Sequence, residues 1–393
     1  MRRTDDELEG GHLEPEDRAG YLGSRLRGPW LSTFLGVWLG VAGILLAVTG
    51  FVSHWARTET GPFPWPTRPV GLYRVTQSLH VFLGVATVIV LLAKLWAAYP
   101  RLFQYPSVRN TAHWLERIGV FLLVGAALFQ FSAGVLNFQF DFSFGFDFVR
   151  GHFWGGVLFL AALLLHVVTK WAITRRELRR TGAELRSELV PQGSLVSRRG
   201  FLAVVGLGSL VTMLASVGST VTPLRRLAVL APRRSGIAGG GPLDFPVVSS
   251  YAQKRPLLDN WRLRVTGRVA RPLELTLEQV KALPQTTVTL PIQCVLGWSA
   301  SPTWTGVRLR DLLELAGVEP GRDLVVRSAQ GLRGGRPLGF PLDPAKARDP
   351  LSLLALKANG ADLDLDHGWP ARLIVPNLPG ERQAKWVIVI EVR

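Results

Sequence analysis

The chain has 393 residues, of which 48% are hydrophobic and 13 are Trp, with a formal net charge of +16 and a single cysteine. That length allows two or three domains, and the apolar richness with a positive mean hydropathy points to membrane segments. One cysteine excludes an internal disulfide, a cysteine-ligated zinc site and an iron–sulfur cluster held by this chain alone. Many basic residues flank apolar runs and form no stripe with interleaved aromatics, so nucleic acid is not expected as a partner.

Residues 1–29 are polar with mixed charges, Gly and Pro, and read as a cytoplasmic tail. No apolar stretch follows the first arginines directly, so no signal peptide is expected at this end. Five apolar segments follow: Trp30–Val52, Val75–Ala97, Leu115–Asn137, His152–Ile173 and Phe201–Gly218. Each is near the ~20 residues that cross a bilayer as a helix. Lys170, Arg175, Arg176, Arg179, Arg180, Arg186, Arg198 and Arg199 crowd the connection after the fourth segment, which places that side in the cytoplasm. The loop Phe138–Gly151 has only Arg150 and two aspartates, and so lies outside. Arg57, Arg68 and Arg74 weaken this signal in the first loop without reversing it. The N-terminus is then inside, and everything after the fifth segment is outside.

Residues 30–173 are therefore read as a four-helix membrane domain and 174–219 as a basic loop with a fifth helix. Residues 220–242 form a Pro- and Gly-rich linker, and 243–393 a final domain. The fifth segment opens Ser197-Arg198-Arg199-Gly200-Phe201-Leu202, which resembles the twin-arginine export signal. A pair of arginines at a helix start can also be an ordinary basic stop. The export reading implies a last domain that is moved already folded, around a cofactor. No clear Ala-x-Ala site follows, so the segment is expected to remain as an anchor.

In the last domain, Trp261–Val269, Thr286–Ile292, Leu324–Ser328, Leu373–Val375 and Trp386–Val392 are rich in Val, Ile and Leu with alternation, and read as strands. Thr276–Leu283, with a Thr cap, and Leu309–Ala316, stopped by Gly317, read as helices. The domain is α+β, and the whole chain is a multi-domain protein with a transmembrane α-helical part before it. Its lone Cys294 lies in Pro291-Ile292-Gln293-Cys294-Val295-Leu296-Gly297-Trp298. On its own it could be an inert small hydrophobe, an intermolecular link or a reactive thiolate.

The runs Trp261-Arg-Leu-Arg-Val-Thr-Gly, Leu275-Thr-Leu-Glu-Gln-Val, Gln293-Cys294-Val-Leu-Gly-Trp and Trp304-Thr-Gly-Val-Arg-Leu-Arg-Asp resemble the molybdopterin-binding domain of the sulfite oxidase family. Asn359-Gly360, His367-Gly-Trp-Pro-Ala-Arg372 and Lys385-Trp386 resemble that family's closing pattern. The resemblance covers about residues 243–393. It implies that the Cys294 thiolate binds molybdenum, a soft anionic sulfur suiting a high-valent metal that already has pterin sulfurs. It implies that Gly297 lets the backbone approach the cofactor and that His367, Arg372 and Lys385 lie near the pterin and its phosphate, where cationic donors are needed. Asn359 is read as a turn residue. The chain departs from the family in having Val295–Ser299 where sulfite oxidases carry an arginine-rich segment, and Gln293 where the sulfoxide-reductase branch commonly has Arg. Neither sulfite nor protein methionine sulfoxide is therefore implied as the substrate.

His152 and His166 are 14 residues apart on the fourth segment, so they share a helix face about 21 Å apart along the axis. This resembles the helix that holds two hemes in b-type cytochromes. His80 lies near the same outer end as His152, within about 6 Å in depth, and pairs with it as heme-iron ligands. His54 competes with His80. His113 is too shallow to meet His166 directly, so either His113 is drawn in, or His166 is a lone ligand of a second heme or a quinone-site residue. The reading is a membrane-bound molybdenum-cofactor oxidoreductase. It couples oxygen-atom transfer on a small-molecule substrate, at an extracytoplasmic site, to heme b and to a quinone or redox protein. The alternatives are a cofactor-binding electron relay without turnover, and a molybdenum enzyme on a heme-free anchor.

Overall fold

The computed structural model describes residues 28–59, 61, 63–102, 111–140, 146–180, 197–231, 242–247, 258, 260–295, 297–331 and 337–393. The tail, His12, Arg186 and part of the linker lie outside these residues. Among them are five long helices: α1 (Pro29–Thr58), α2 (Leu72–Leu102), α3 (Thr111–Phe140), α4 (Phe148–Leu178) and α5 (Arg198–Val217). Each contains a stretch long and apolar enough to cross a membrane, with mean hydropathy of 2.0 to 2.3 and only 11 to 28% of that stretch buried. Trp38, Val168 and Val204 stand more than half exposed. Helices apolar on all sides but little buried by protein are what a lipid solvent stabilises.

The chain divides into two compact units. One consists of Met1–Ala47, Leu83–Val135 and Phe146–Thr212, and the other of Val48–Phe82, Leu136–Gly145 and Met213–Arg393. In the first, Leu31, Leu35 and Ala97 form a small core against Phe201 and Leu202, and Phe201 stacks on Trp96 with ring centroids 5.5 Å apart. Ser197 accepts a hydrogen bond at its Oγ from Gly200 N, 3.0 Å away, and so caps α5. The Ser and Phe of the arginine motif thus also serve the start of a packed helix.

The second unit is built on two sheets. β1 (Arg262–Gly267), β2 (Leu273–Thr276), β7 (Leu324–Gly331), β8 (Pro337–Leu342) and β12 (Val387–Val392) order as β2-β1-β12-β7-β8, with β1 parallel to β12. β3 (Thr286–Thr289), β6 (Thr303–Arg308), β9 (Leu353–Ala358) and β10 (Ala361–Asp362) order as β10-β9-β6-β3, and β11 (Arg372–Ile374) also pairs with β9. Alternation buries Leu263 and Val265 of β1 while Arg262 and Arg264 face out, as a half-covered sheet requires. α6 (Leu277–Ala282) opens with a full capping box between Thr276 and Gln279. α7 (Leu309–Leu315) ends at Gly317, whose φ of +67° suits a helix stop. Asn359 and Gly360, at φ +50° and +84°, form the two-residue turn between β9 and β10, as an Asn-Gly pair does in hairpins.

The second unit also takes in the last turns of α1, the first turns of α2 and the loop between them, which sequence reading treats as a membrane connection. Ala56, Trp65 and Tyr73 are fully buried in one apolar cluster with Leu263, Val265, Leu373 and Ile390. Asn377, at φ +60°, clamps that loop. Its carbonyl accepts from Trp65 Nε1 at 2.7 Å, its Oδ1 from Tyr73 N at 2.7 Å, and its Nδ2 donates to the Pro66 carbonyl at 2.7 Å. Arg68 pairs with Asp349 at 2.9 Å, and the buried Lys346 with Glu59 at 3.1 Å.

Candidate functional site

β4 (Ile292–Gln293) and β5 (Ser299–Ala300) form a two-stranded ribbon, and Cys294 starts the turn at its tip. Cys294 N donates to the Trp298 carbonyl at 3.0 Å and Gly297 N to the Cys294 carbonyl at 3.3 Å. Gly297, at φ +81°, makes that closure possible without strain. Its open side faces α2: a Cβ there would sit 3.2 Å from Val81 Cγ1. The glycine thus serves the turn and a close approach to a helix. Cys294 and its flanking Gln293 and Trp298 are all buried.

The closing motif is held by an aspartate that sequence reading passes over. Asp364 Oδ1 accepts from His367 N at 2.7 Å and engages His367 Nδ1 at 2.9 Å. His367 Nε2 meets the Phe245 carbonyl at 3.0 Å, and the two rings pack edge to face with centroids 4.3 Å apart. Both ring nitrogens are occupied by the protein, so His367 acts as a brace. Its carbonyl accepts from an Arg372 Nη at 3.1 Å. Asp364 precedes His367 by three residues, the spacing of a side-chain-capped turn, and that was the available signal.

Arg372 leads β11 into the core and is 4% exposed. Its guanidinium carbon lies 5.6 Å from the Trp304 ring centroid, and Nε has no partner among the described residues. Burial pulls its pKa down to about 10, which leaves it charged at neutral pH. Lys385 donates to the Asp366 carbonyl at 2.6 Å and lies over the Trp386 ring. Burial, then the Arg372 charge, pull its pKa down to about 7, against the opposing pull of Asp366, Asp364 and Cys294. Cys294 belongs to the same apolar cluster as Trp304, the ring that Arg372 lies over, and the charges of Arg372 and Cys294 both act on Lys385.

This neighbourhood has the polarity of a site for a large anion. Besides Arg372 Nε, the buried atoms Trp298 Nε1, Gln293 Oε1 and Gln383 Oε1 lack partners among the described residues. Buried polar atoms are paired in nearly all native interiors, and of these four the donors Arg372 Nε and Trp298 Nε1 are the ones that suit an anionic ligand. A buried and a half-buried cation with a buried thiol fit a phosphate-bearing, sulfur-coordinated cofactor.

The membrane histidines make other contacts. His80 Nδ1 meets Thr49 Oγ1 at 2.9 Å, and a Cβ on Gly50 would lie 3.1 Å from its ring. In the other unit, His152 Nδ1 donates to the Gln130 carbonyl at 3.0 Å, its Nε2 meets Gln130 Nε2 at 3.1 Å, and Gly134 packs on the ring. His166 lies near Lys94, Lys170 and Glu116, and His54 near Arg57. Among the described residues no group of three His, Cys, Asp or Glu side chains could hold a metal ion.

Residues 251–393 match the family described as oxidoreductase molybdopterin-binding domain. The chain is 36% identical to a nitrate reductase [NADH] of Volvox carteri, over 33% of this chain and 18% of that one. It is 38% identical to the uncharacterized oxidoreductase YuiH of Bacillus subtilis, over 33% and 64% of the two chains. It is 33% identical to the mitochondrial sulfite oxidase of Drosophila melanogaster, over 34% and 27%. The chain therefore spans less than two thirds of the length of each of these relatives.

Proposed function

We propose, from the premise that residues 251–393 form a molybdopterin-binding oxidoreductase domain of the sulfite oxidase family, that the chain is a membrane-bound molybdenum-cofactor oxidoreductase. The observation that carries this reading is the buried Arg372 cation, with Nε unpartnered among the described residues, in the same neighbourhood as Lys385 and the buried Cys294. Cys294 would bind the molybdenum as thiolate. Arg372 and Lys385 would hold the pterin phosphate, and His367, braced by Asp364 and Phe245, would aim Arg372. Bound there, the group supplies two-electron oxygen-atom-transfer chemistry toward a small-molecule substrate. Trp298, Trp304 and Phe245 keep water from the buried donors, so each charge acts in a low dielectric. The residues around Cys294 depart from both the sulfite and the protein methionine sulfoxide branches, and a small sulfoxide or an oxyanion is the substrate class proposed.

The catalytic domain would lie outside the cytoplasm, by the lysine and arginine excess between α4 and α5 and the export-like motif before α5. His80 and His152 would hold a heme b, with His54 competing for that role, and the group would supply electron exchange with a quinone or a redox protein. His166 would serve a second heme or the quinone. The support is local: Thr49 and the Gln130 carbonyl each hold the Nδ1 side, which orients the ring for ligation through Nε2, and a glycine lies against each ring. The Gln130 amide would have to leave His152 Nε2. That bond favours the rival reading, a heme-free anchor. Metal and pterin analysis of the purified full chain, with its absorption spectrum, tests both parts. Stoichiometric molybdenum with a Soret band supports the proposal. Absent molybdenum would overturn the enzyme reading, and absent heme the wiring.

A further inference from the structure

The turn after Cys294 presents the Val295 and Gly297 carbonyls outward, and both are bonded by side chains from outside residues 251–393. Gln77 Nε2 of α2 donates to the Val295 carbonyl at 3.1 Å. Thr220, just after α5, donates from Oγ1 to the Gly297 carbonyl. Gln77 is 4% exposed, and its amide is oriented from both ends: the Val295 carbonyl can only accept, which turns Nε2 toward it, and Ser53 Oγ of α1 donates to Oε1 at 2.7 Å. Val81, one helical turn beyond Gln77, lies against Gly297. Gln77, His80 and Val81 thus share one helix face, at i, i+3 and i+4.

We infer that Gln77 is a positioning residue for Cys294: its amide, oriented by Ser53, fixes the turn that sets the thiolate's place and anchors that turn to the helix face that carries His80. This rests on Cys294 being the molybdenum ligand. Groups that orient a ligand from outside the coordination sphere commonly change metal affinity or activity by about 10–100-fold when removed.

The test uses the full chain, with and without cofactor. Cys294 is the only cysteine, so its alkylation by iodoacetamide in cofactor-free protein reads the turn directly. In Gln77→Met the side chain keeps its length but loses both polar contacts. Alkylation should run about tenfold faster than in wild type, as a lost buried hydrogen bond frees the turn to open. In the loaded protein, the Mo(V) electron paramagnetic resonance g-values and the molybdenum midpoint potential should shift. Gln77→Glu separates the bond from the fold. Ionised, it turns a repelling oxygen on the Val295 carbonyl; protonated, it can donate as the amide does. Its alkylation rate, relative to wild type at the same pH, should return toward one as pH falls, while Gln77→Met stays fast. Wild-type alkylation rates in both variants, with an unshifted Mo(V) spectrum, would overturn the inference. Cys294→Ser keeping its molybdenum with an unchanged spectrum would instead overturn the reading on which the inference rests.

Discussion

Replacing Arg372 by Met should stabilise the cofactor-free protein and abolish its capacity to keep the cofactor. At neutral pH the guanidinium stays charged at 4% exposure, and burial pulls its pKa well below the ordinary arginine value, to about 10. That shift is about 3 kcal/mol against the charged form. Against this stands the side chain's hydrogen bond to the His367 carbonyl, worth about 1.5–3 kcal/mol for a charged donor, with a contribution from the Trp304 face. Methionine fills much of the same volume and adapts to irregular gaps. A net gain of about 1 kcal/mol is expected, or roughly 2–4 °C in melting temperature for a unit of this size. The assay is thermal denaturation of the full chain in detergent, expressed without molybdopterin synthesis, beside pterin content from a host that makes it. A drop of several degrees with full pterin content would show that Arg372 is a structural strut, and would refute its assignment to the phosphate.

Lys385 gives a pH signature. Between about 7, its folded value, and its ordinary 10.5, the unfolded chain holds a proton that the folded chain has lost. The stability of the cofactor-free protein should therefore rise with pH across that window, with the full penalty present below pH 7. Lys385→Met should flatten the rise, as read from melting temperatures between about pH 7 and 9; parallel curves for the two proteins would contradict the assignment. His80→Ala and His152→Ala should each remove the Soret band of the outer heme without loss of molybdenum; a band that survives both refutes the ligand pair. Gly297→Ala must take φ +81° with a Cβ 3.2 Å from Val81, and should cost about 1–2 kcal/mol in thermal unfolding. The further change Val81→Ala should recover only the contact part of that loss.

Much of the fold was legible because its signals are local. The five apolar segments needed only length and composition, and the observed helices extend most of them by several polar or capping residues. β1, β7 and β12 follow from Val, Ile and Leu alternation, and α6 from the Thr276 and Gln279 box. β9 was missed: Leu353–Ala358 is buried on both faces over most of its length, so it shows no alternation. β4 and β5 are two residues each, too short for any pattern. At the site, Cys294, Arg372 and Lys385 were reachable from ordered motifs. Asp364 as the brace of His367, and Phe245 as its second partner 122 residues away in sequence, depend on tertiary placement. So do Gln77 on Val295 and Asn377 on the α1–α2 loop, since single polar residues in an apolar helix or a loop carry no sign of their distant partners.

The central claim is that Cys294 is the molybdenum ligand within a site built by Arg372 and Lys385. X-ray absorption at the molybdenum edge of the full chain, wild type beside Cys294→Ser, tests it most directly. The account predicts a protein sulfur in the wild-type metal shell, beyond those of the pterin, that is lost on substitution while pterin content is retained. A sulfur shell identical in the two proteins would contradict it.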